Sequence, residues 1–296
     1  MKDLELKIDE YLTYLEAIRN MSPETIRNYR TDLNRYVEYA KTEECGLIPD
    51  LKQVRGFLTS LSREKLKEST INRIFSCVRG FYHHLYRDQI IDHNPFDMIK
   101  ALKIPRRLPN YLFPKELSEY LDIEGDDFTA VRDRALLGFF YSTGCRVSEV
   151  TGLTLDAMNL GRGTCRVLGK GDKERIVFLG KDVKDQLAAY LALRAARVKD
   201  DHRYVFISQS GRPLTNRGIR YIISEYSKKI GMQKKVSPHT FRHTFATHLV
   251  EEGADIRIVQ EMLGHSSIST TGVYTHGNLD RLRGVYESAH PHSRRK

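Results

Sequence analysis

The sequence predicts a mainly α-helical protein of two domains: an N-terminal helical bundle, then a mixed α/β domain, mostly helical with a small antiparallel β-sheet. Three observations lead there. In the first hundred positions apolar residues recur three and four apart, the period of an amphipathic helix. The segment IPRRLPN, with two prolines and two arginines, then interrupts all periodicity. Beyond it helical spacing resumes, broken once by the runs CRVLG and RIVFLG around the turn GKGDKE, the pattern of a β-hairpin.

Leu6, Tyr11, Leu12, Leu15 and Ile18 mark the first helix. Ser22-Pro23-Glu24-Thr25 opens the second, with serine as cap, proline in the first helical position and an acid in the first turn. That helix runs through Ile26, Tyr29, Leu33, Tyr36 and Val37. A shorter helix follows Asp50 and carries Val54, Phe57, Leu58 and Leu61. A fourth starts near Ser69, presents Ile71, Ile74, Phe75, Val78, Phe81, Tyr82 and Leu85, and is stopped by Asn94-Pro95. Four helices with short connections make a bundle over residues 1–103. Residues 104–110 form a stiff basic linker, and residues 111–296 the second domain. In that domain 131–141 is an apolar helix ending at Ser142-Thr143-Gly144, and 164–179 is the hairpin. Residues 181–198 form a helix and 204–208 a short strand. Further helices cover 215–230, 238–252, 255–263 and 267–275, with a last one near 279–288.

Of the 296 residues 40% are hydrophobic and 29% charged, a soluble globular balance. No apolar run approaches the ~18 residues of a membrane span, and MKDLELKIDEYLTYLE has the character of neither a signal nor a transit peptide. Cys45, Cys77, Cys145 and Cys165 form no CxxC pair and read as reduced thiols of a cytoplasmic protein. Residues 1–103 carry 17 Lys+Arg against 16 Asp+Glu, whereas residues 104–296 carry 31 against 22. The basic excess of the second half points to a polyanion, with nucleic acid ahead of membrane.

Five places hold polar residues that a core does not require. Arg146 follows a glycine in TGCRVSEV. The hairpin tip GKGDK presents Lys170 and Lys173. In SPHTFRHTFATH, Ser237 caps a helix, Pro238 takes its first position, and His239 and Arg242 stand three apart on one face. LGH ends at His265. SISTTGVYTH holds Tyr274 among small and hydroxylated residues. Taken singly, these read as a surface ion pair, a soluble turn, helix-facing histidines and a packing tyrosine. His239 and His243 at i, i+4 raise zinc, but no glutamate stands between them and no cysteine pair lies nearby, so neither metal nor cofactor is expected. His243 and His248 are expected to face other helices beside the stripe Phe241, Phe245, Leu249.

Together the five places have one chemical meaning. Two arginines, two histidines and a lysine can surround a phosphate, because guanidinium donates two parallel hydrogen bonds while staying charged. The helix start at Ser237-Pro238 favours the same anion. A phosphodiester under attack gains charge on its non-bridging oxygens, and donors already in place lower that barrier. A tyrosine hydroxyl can be the nucleophile. With an unperturbed pKa near 10, about one phenol in a thousand is ionised at neutral pH, so it needs a base or dense positive charge nearby. A lysine on a hairpin tip can protonate the leaving 5′ oxygen.

The order Arg, Lys, His-x-x-Arg, His, Tyr resembles that of the tyrosine recombinases, or phage-integrase-type recombinases, and within them is most similar to the bacterial Xer site-specific recombinases. TGCRVSEV, GKGDKERIVFLG, SPHTFRHTFATHLVEEGADIRIVQEMLGH and SISTTGVYTH carry the likeness. The spacings are 24 residues from Arg146 to Lys170, three from His239 to Arg242 and nine from His265 to Tyr274. SPETIRNYRTDLNRY extends it weakly into the first half. The resemblance implies a SAM-like, core-binding DNA-binding domain, the linker, and a catalytic domain that ends in an interaction helix. It implies that Arg146 and Arg242 clamp the scissile phosphate, that Lys170 is the general acid with Lys173 as runner-up, and that His239 assists proton transfer. His265 bonds the phosphate, Tyr274 forms a 3′-phosphotyrosine, and Glu149 supports the site. Cys145 stands where leucine is commoner and Gly272 where a larger residue is usual.

The implied partner is a double-stranded DNA recombination site, with four protomers on two duplexes resolving a Holliday junction. The implied setting is chromosome dimer resolution at cell division, in the bacterial cytoplasm at the nucleoid. A sister recombinase in the tetramer and a DNA translocase as activator stay open, as do the target sequence, a mobile-element or plasmid role and a catalytically silent accessory protein. A relaxing topoisomerase and a zinc hydrolase are the more distant alternatives.

Overall fold

A computed structural model of the chain describes residues 2–104, 110–169, 173–264 and 276–293. The chain divides into two compact units, Met1–Arg106 and Arg107–Lys296.

The first unit is a bundle of α1 (Lys2–Ala17), α2 (Pro23–Thr42), α3 (Leu51–Arg63) and α4 (Glu68–Arg87). Local chemistry sets the starts. Ser22 Oγ accepts from the Thr25 N–H at 3.3 Å, with Pro23 in the first turn. Asp50 and Gln53 cap each other reciprocally, the two bonds measuring 2.7 and 3.0 Å. The α1 face turned inward is Leu4, Ile8, Tyr11, Leu12 and Leu15, all buried, so the stripe begins at Leu4 and not at Leu6. Leu6 and Ile18 are exposed, Leu6 because it lies off that stripe and Ile18 because it follows the helix end. Two buried phenols are satisfied within the core: Tyr36 and Tyr82 share a hydrogen bond of 2.8 Å, and Tyr82 also donates to Leu47 O at 3.0 Å. Helix α4 ends at Arg87, earlier than Asn94-Pro95, because Gln89 turns into the left-handed region at φ 58°. Asn94 instead organises the following loop, accepting from the Phe96 N–H at 3.0 Å.

The second unit begins with α5 (Pro114–Leu121), which the apolar spacing does not announce, and continues with α6 (Phe128–Thr143) and α7 (Val147–Thr151). A three-stranded antiparallel sheet follows in the order β1 (Met158–Asn159), β2 (Thr164–Leu168), β3 (Glu174–Phe178). The register pairs Leu168 with Glu174 and Thr164 with Phe178. Then come α8 (Lys181–Ala195), α9 (Asn216–Lys229), α10 (Pro238–Glu251), α11 (Ile256–Leu263) and α12 (His276–Ala289). Helix α6 is buried along nearly its whole length and is packed by α8 and α10, which explains its apolar run from Ala135 to Tyr141.

The strand expected at 204–208 does not form. Tyr204 pairs singly with Thr154 and Ile207 singly with Pro213, and a proline has no N–H with which to extend a ladder. The helix expected at 267–275 lies outside the described residues. No described helix is long and apolar enough to cross a membrane.

Helix α12 packs on its own unit. Leu282, Tyr286 and Ala289 are buried against Phe178, Phe245 and Leu249, and Tyr286 Oη meets Ser142 Oγ at 2.6 Å. Removal of the last helix would therefore uncover this core as well as any contact it makes elsewhere. His290 locks the helix end. Its Nε2–H donates to Tyr141 O at 3.2 Å, and its Nδ1 accepts the His292 N–H at 3.2 Å, so both nitrogens are used as a neutral ring uses them. Burial among the Tyr141, Tyr286 and Phe245 rings pushes its pKa down from 6.5 to about 3, with His292 and His248 adding to the depression. A depressed base stays neutral in the folded chain while the unfolded chain takes up the proton. Its stabilising contribution is thus complete above pH 6.5 and is lost as pH falls toward 3, at about 1.4 kcal/mol per pH unit for one proton. Urea melts at pH 7, 6 and 5 should show that slope in the unaltered protein and a shallower one in His290→Gln.

Candidate active site

The site starts where α6 stops. Gly144 ends that helix in the left-handed conformation, φ 58°, and a Cβ there would stand 2.6 Å from Phe245 Cδ1 and 2.9 Å from Leu263 Cδ2. Only glycine meets both demands, and the chain is thereby turned so that Arg146 sits at the head of α7. The Arg146 N–H donates to Glu149 Oε2 at 2.7 Å and its Nη1 to Glu149 Oε1 at 3.0 Å. Main chain and side chain of this arginine are therefore set by one carboxylate, whose side chain is fully buried.

On the far side of Glu149 lies Arg175 of β3. Its Nη2 donates to Oε2 at 2.8 Å and its Nε to Oε1 at 3.4 Å. Arg242 comes from the second turn of α10, beside Phe241 and Phe245, and its Nη1 donates to Gly144 O at 2.8 Å. All three guanidiniums then converge on the end of α11. Arg175 Nη1 meets Met262 O at 2.5 Å, Arg242 Nη2 meets Leu263 O at 2.6 Å, and Arg146 Nη2 reaches Gly264 O at 3.5 Å. Three consecutive carbonyls, those a helix leaves unsatisfied at its C-terminus, each take one arginine.

The electrostatics follow from three cations around one anion. Burial raises the Glu149 pKa, but Arg175, and after it Arg146, outweigh burial and hold the carboxyl below the ordinary range. Arg242 is pushed down to about 10 by burial, with Arg146 and Arg175 adding repulsion. It remains charged at neutral pH, yet at a cost that an incoming anion would relieve. Burial pushes the Cys145 thiol up to about 11, so it is a packing group here. Arg146 is the open member, its side chain 32% exposed, while Arg242 uses one N–H of each Nη on a carbonyl and each nitrogen carries a second. This arrangement can hold an oxyanion between two guanidiniums.

Of the expected site residues the structure brings Arg146, Glu149 and Arg242 together. His239 is the second residue of α10, exposed, with no hydrogen-bond partner among the described residues, while Arg242 three residues on is buried. Lys173 is exposed at the tip end of the hairpin, where its carbonyl accepts the Gly169 N–H at 2.8 Å. Lys170, His265 and Tyr274 lie outside the described residues. His248 faces α6 as expected, meeting Tyr141 Oη at 3.0 Å, but His243 is exposed, on the outward face it shares with His239 and Val250. Among the described residues no three His, Cys, Asp or Glu side chains gather as a metal site. A cavity of about 540 Å³ lined by Tyr141, Gln186, His248 and His292 lies elsewhere in the unit and touches none of the three arginines. Arg175 is the residue that sequence reasoning missed. Its signal was a charge at an inward strand position, in step with Val177.

Comparison with known proteins gives this geometry its context. Residues 110–281 match the phage integrase family, and residues 8–89 match the phage integrase N-terminal SAM-like domain. The chain is 39% identical over 300 residues to the tyrosine recombinase XerC of Thermodesulfovibrio yellowstonii, covering 99% of each. It is also 39% identical over 294 residues to the tyrosine recombinase XerD of Oceanobacillus iheyensis, covering 97% of this chain and 99% of that one. Among solved structures, the XerH site-specific recombinase bound to palindromic difH substrate superposes with a TM-score of 0.70 at 25% identity, over 91% of this chain and 81% of that one. The Tn1549 transposon integrase shares the fold at a TM-score of 0.72 and 19% identity, over 94% of this chain and 98% of that one. Fold, arginine cluster and relatives define a site-specific recombinase of the tyrosine type, an enzyme that breaks and rejoins DNA strands. The chain belongs to the phage integrase family.

Proposed function

We propose that Arg146 and Arg242 clamp the scissile phosphate of a double-stranded recombination site and that Tyr274 attacks it. The phosphorus–5′-oxygen bond breaks as the tyrosine ester forms. Lys170 protonates the departing 5′ oxygen, His239 assists proton transfer, and His265 hydrogen-bonds the phosphate. The observation that carries this reading is the convergence of Arg242 and Arg146 on Leu263 O and Gly264 O, the two carbonyls directly before His265 in the chain. The phosphotyrosine keeps the energy of the broken bond, so an incoming 5′ hydroxyl can reverse the step and join a new partner through a Holliday junction.

In the same reading residues 1–103 bind DNA as the core-binding domain, 104–110 is the linker, and 111–296 is the catalytic domain. Arg217 and Arg220 at the start of α9 are exposed and suit phosphate or groove contacts. Four protomers act on two duplexes, with α12 as the interaction helix, in the cytoplasm at the nucleoid. The XerC and XerD relatives, equally identical to this chain, favour chromosome dimer resolution at cell division. A sister recombinase and a translocase activator are compatible additions.

A nicked suicide DNA site, incubated with the protein without metal or ATP, should yield a covalent protein–DNA adduct on a denaturing gel. Products that join two different duplexes distinguish recombination from simple relaxation. A protein that binds the site and forms no adduct is a silent accessory, and the reading fails.

A further inference from the structure

We propose that Arg175 is a positioning residue for strand breakage: one buried guanidinium fixes Glu149 against Arg146 and ties both to the end of α11. This rests on the reading that Arg146 and Arg242 hold the scissile phosphate. Arg175 is 4% exposed, so it acts through its neighbours and not on the phosphate. Its planar fork spans Glu149 Oε1 and Oε2 at 3.4 and 2.8 Å while Nη1 holds Met262 O at 2.5 Å. A further contact from Nη2 reaches Cys145 Sγ at 3.6 Å, next to Arg146 in the chain. An ammonium is a point donor and cannot reproduce that set. Gly264 makes room for it: a Cβ at Gly264, already left-handed at φ 66°, would stand 2.9 Å from Arg175 Cδ.

Three segments that carry proposed site residues thus meet at one side chain. Arg175 stands five residues after Lys170 on the same hairpin, bonds the carboxylate that orients Arg146, and holds the last turn before His265. Without it, Glu149 is a buried carboxylate whose remaining cationic bond is to Arg146. Such a carboxylate either takes up a proton or grips Arg146 harder, in competition with the phosphate. Both outcomes misplace the open guanidinium, and both start from the carboxylate of Glu149 left without Arg175. Replacing that charge should therefore undo much of the damage.

The test is a cycle of unaltered protein, Arg175→Met, Glu149→Gln and the double variant, read as the rate of adduct formation on the suicide site. Melting curves and half-site gel shifts confirm folding and binding. Arg175→Met is expected to slow the adduct about 100-fold and Glu149→Gln about 10-fold, while the double variant stays within about threefold of Glu149→Gln alone. Arg175→Met should also gain a fall in rate from about pH 5 to about pH 8, as Glu149 loses its proton and closes on Arg146, which the double variant lacks. A double variant slowed by the product of the two single effects, with no altered pH profile, would falsify the proposal and leave Arg175 as packing. If Arg175→Met does not fold, the same cycle run with Arg175→Lys decides by the same criterion. Failure of the unaltered protein to form an adduct overturns the phosphate reading itself, an outcome separate from any result of the cycle.

Discussion

Tyr274→Phe is expected to abolish adduct formation on the suicide site, by at least about 10⁴-fold, while half-site affinity stays within about twofold. The substitution removes one oxygen, and in the proposed reaction that oxygen is the nucleophile. Nothing else in the ring can attack phosphorus, so the effect falls on the chemical step and not on binding. Affinity for DNA comes mainly from phosphate contacts by lysine and arginine, which the change leaves alone, and its steep salt dependence should be the same in both proteins. The magnitude separates this role from a supporting one. A tyrosine that only packs would, on losing its hydroxyl, shift the melting temperature and leave the adduct. An adduct forming on Tyr274→Phe at a rate comparable to the unaltered protein would remove Tyr274 as nucleophile and send the search to another hydroxyl.

The sequence signals that proved informative are those with a local physical cause. Ser22-Pro23, Asp50 and Ser237-Pro238 each start a helix where the capping residues stand, since those bonds close within four residues. Arg146 was legible because it opens a helix directly after a glycine turn, and Arg242 because it stands three after His239 near a capped helix start. Helix α5 was legible in principle, with Pro114 in its first turn and the Glu116 carboxylate accepting the Phe113 N–H at 2.8 Å, but eight residues give periodicity little to work with. The misread strand at 204–208 shows the reverse: its apolar run Val205-Phe206-Ile207 is buried, and Pro213 across from it denies a ladder. Arg175 and the three carbonyls of Met262, Leu263 and Gly264 were out of reach for a different reason. Their partners lie 26 and 87 residues away from Arg175, and a backbone carbonyl carries no sequence label. Only the alternation of β3, which turns Arg175 inward beside Val177, hinted that this charge had somewhere to go.

Arg242→Lys, the most conservative change available at the clamp, is expected to slow adduct formation about 10²- to 10³-fold at pH 7.5 and to make the rate fall as pH rises. Two effects combine. The guanidinium holds Gly144 O at 2.8 Å and Leu263 O at 2.6 Å on separate nitrogens, with further N–H groups left to meet a phosphate. An ammonium in the same place cannot span both carbonyls and still face the anion. The surroundings also disfavour any cation there, since burial, then Arg146 and Arg175, bring Arg242 itself down to about 10. Arginine survives that depression as a charge at neutral pH because its ordinary value is 12.5. Lysine begins about two units lower, so the same surroundings bring it toward neutrality. A base with a depressed pKa is charged below that pKa, so the clamp of Arg242→Lys works at lower pH and fails as pH rises. The unaltered protein should show no such loss between about pH 7 and about pH 9, where its arginine stays protonated. The measurement is the adduct rate across that range for both proteins, with melting curves at each pH. A substituted protein within about threefold of the original, with the same pH profile, would show that the guanidinium fork and its crowding by Arg146 and Arg175 do not set the reaction rate.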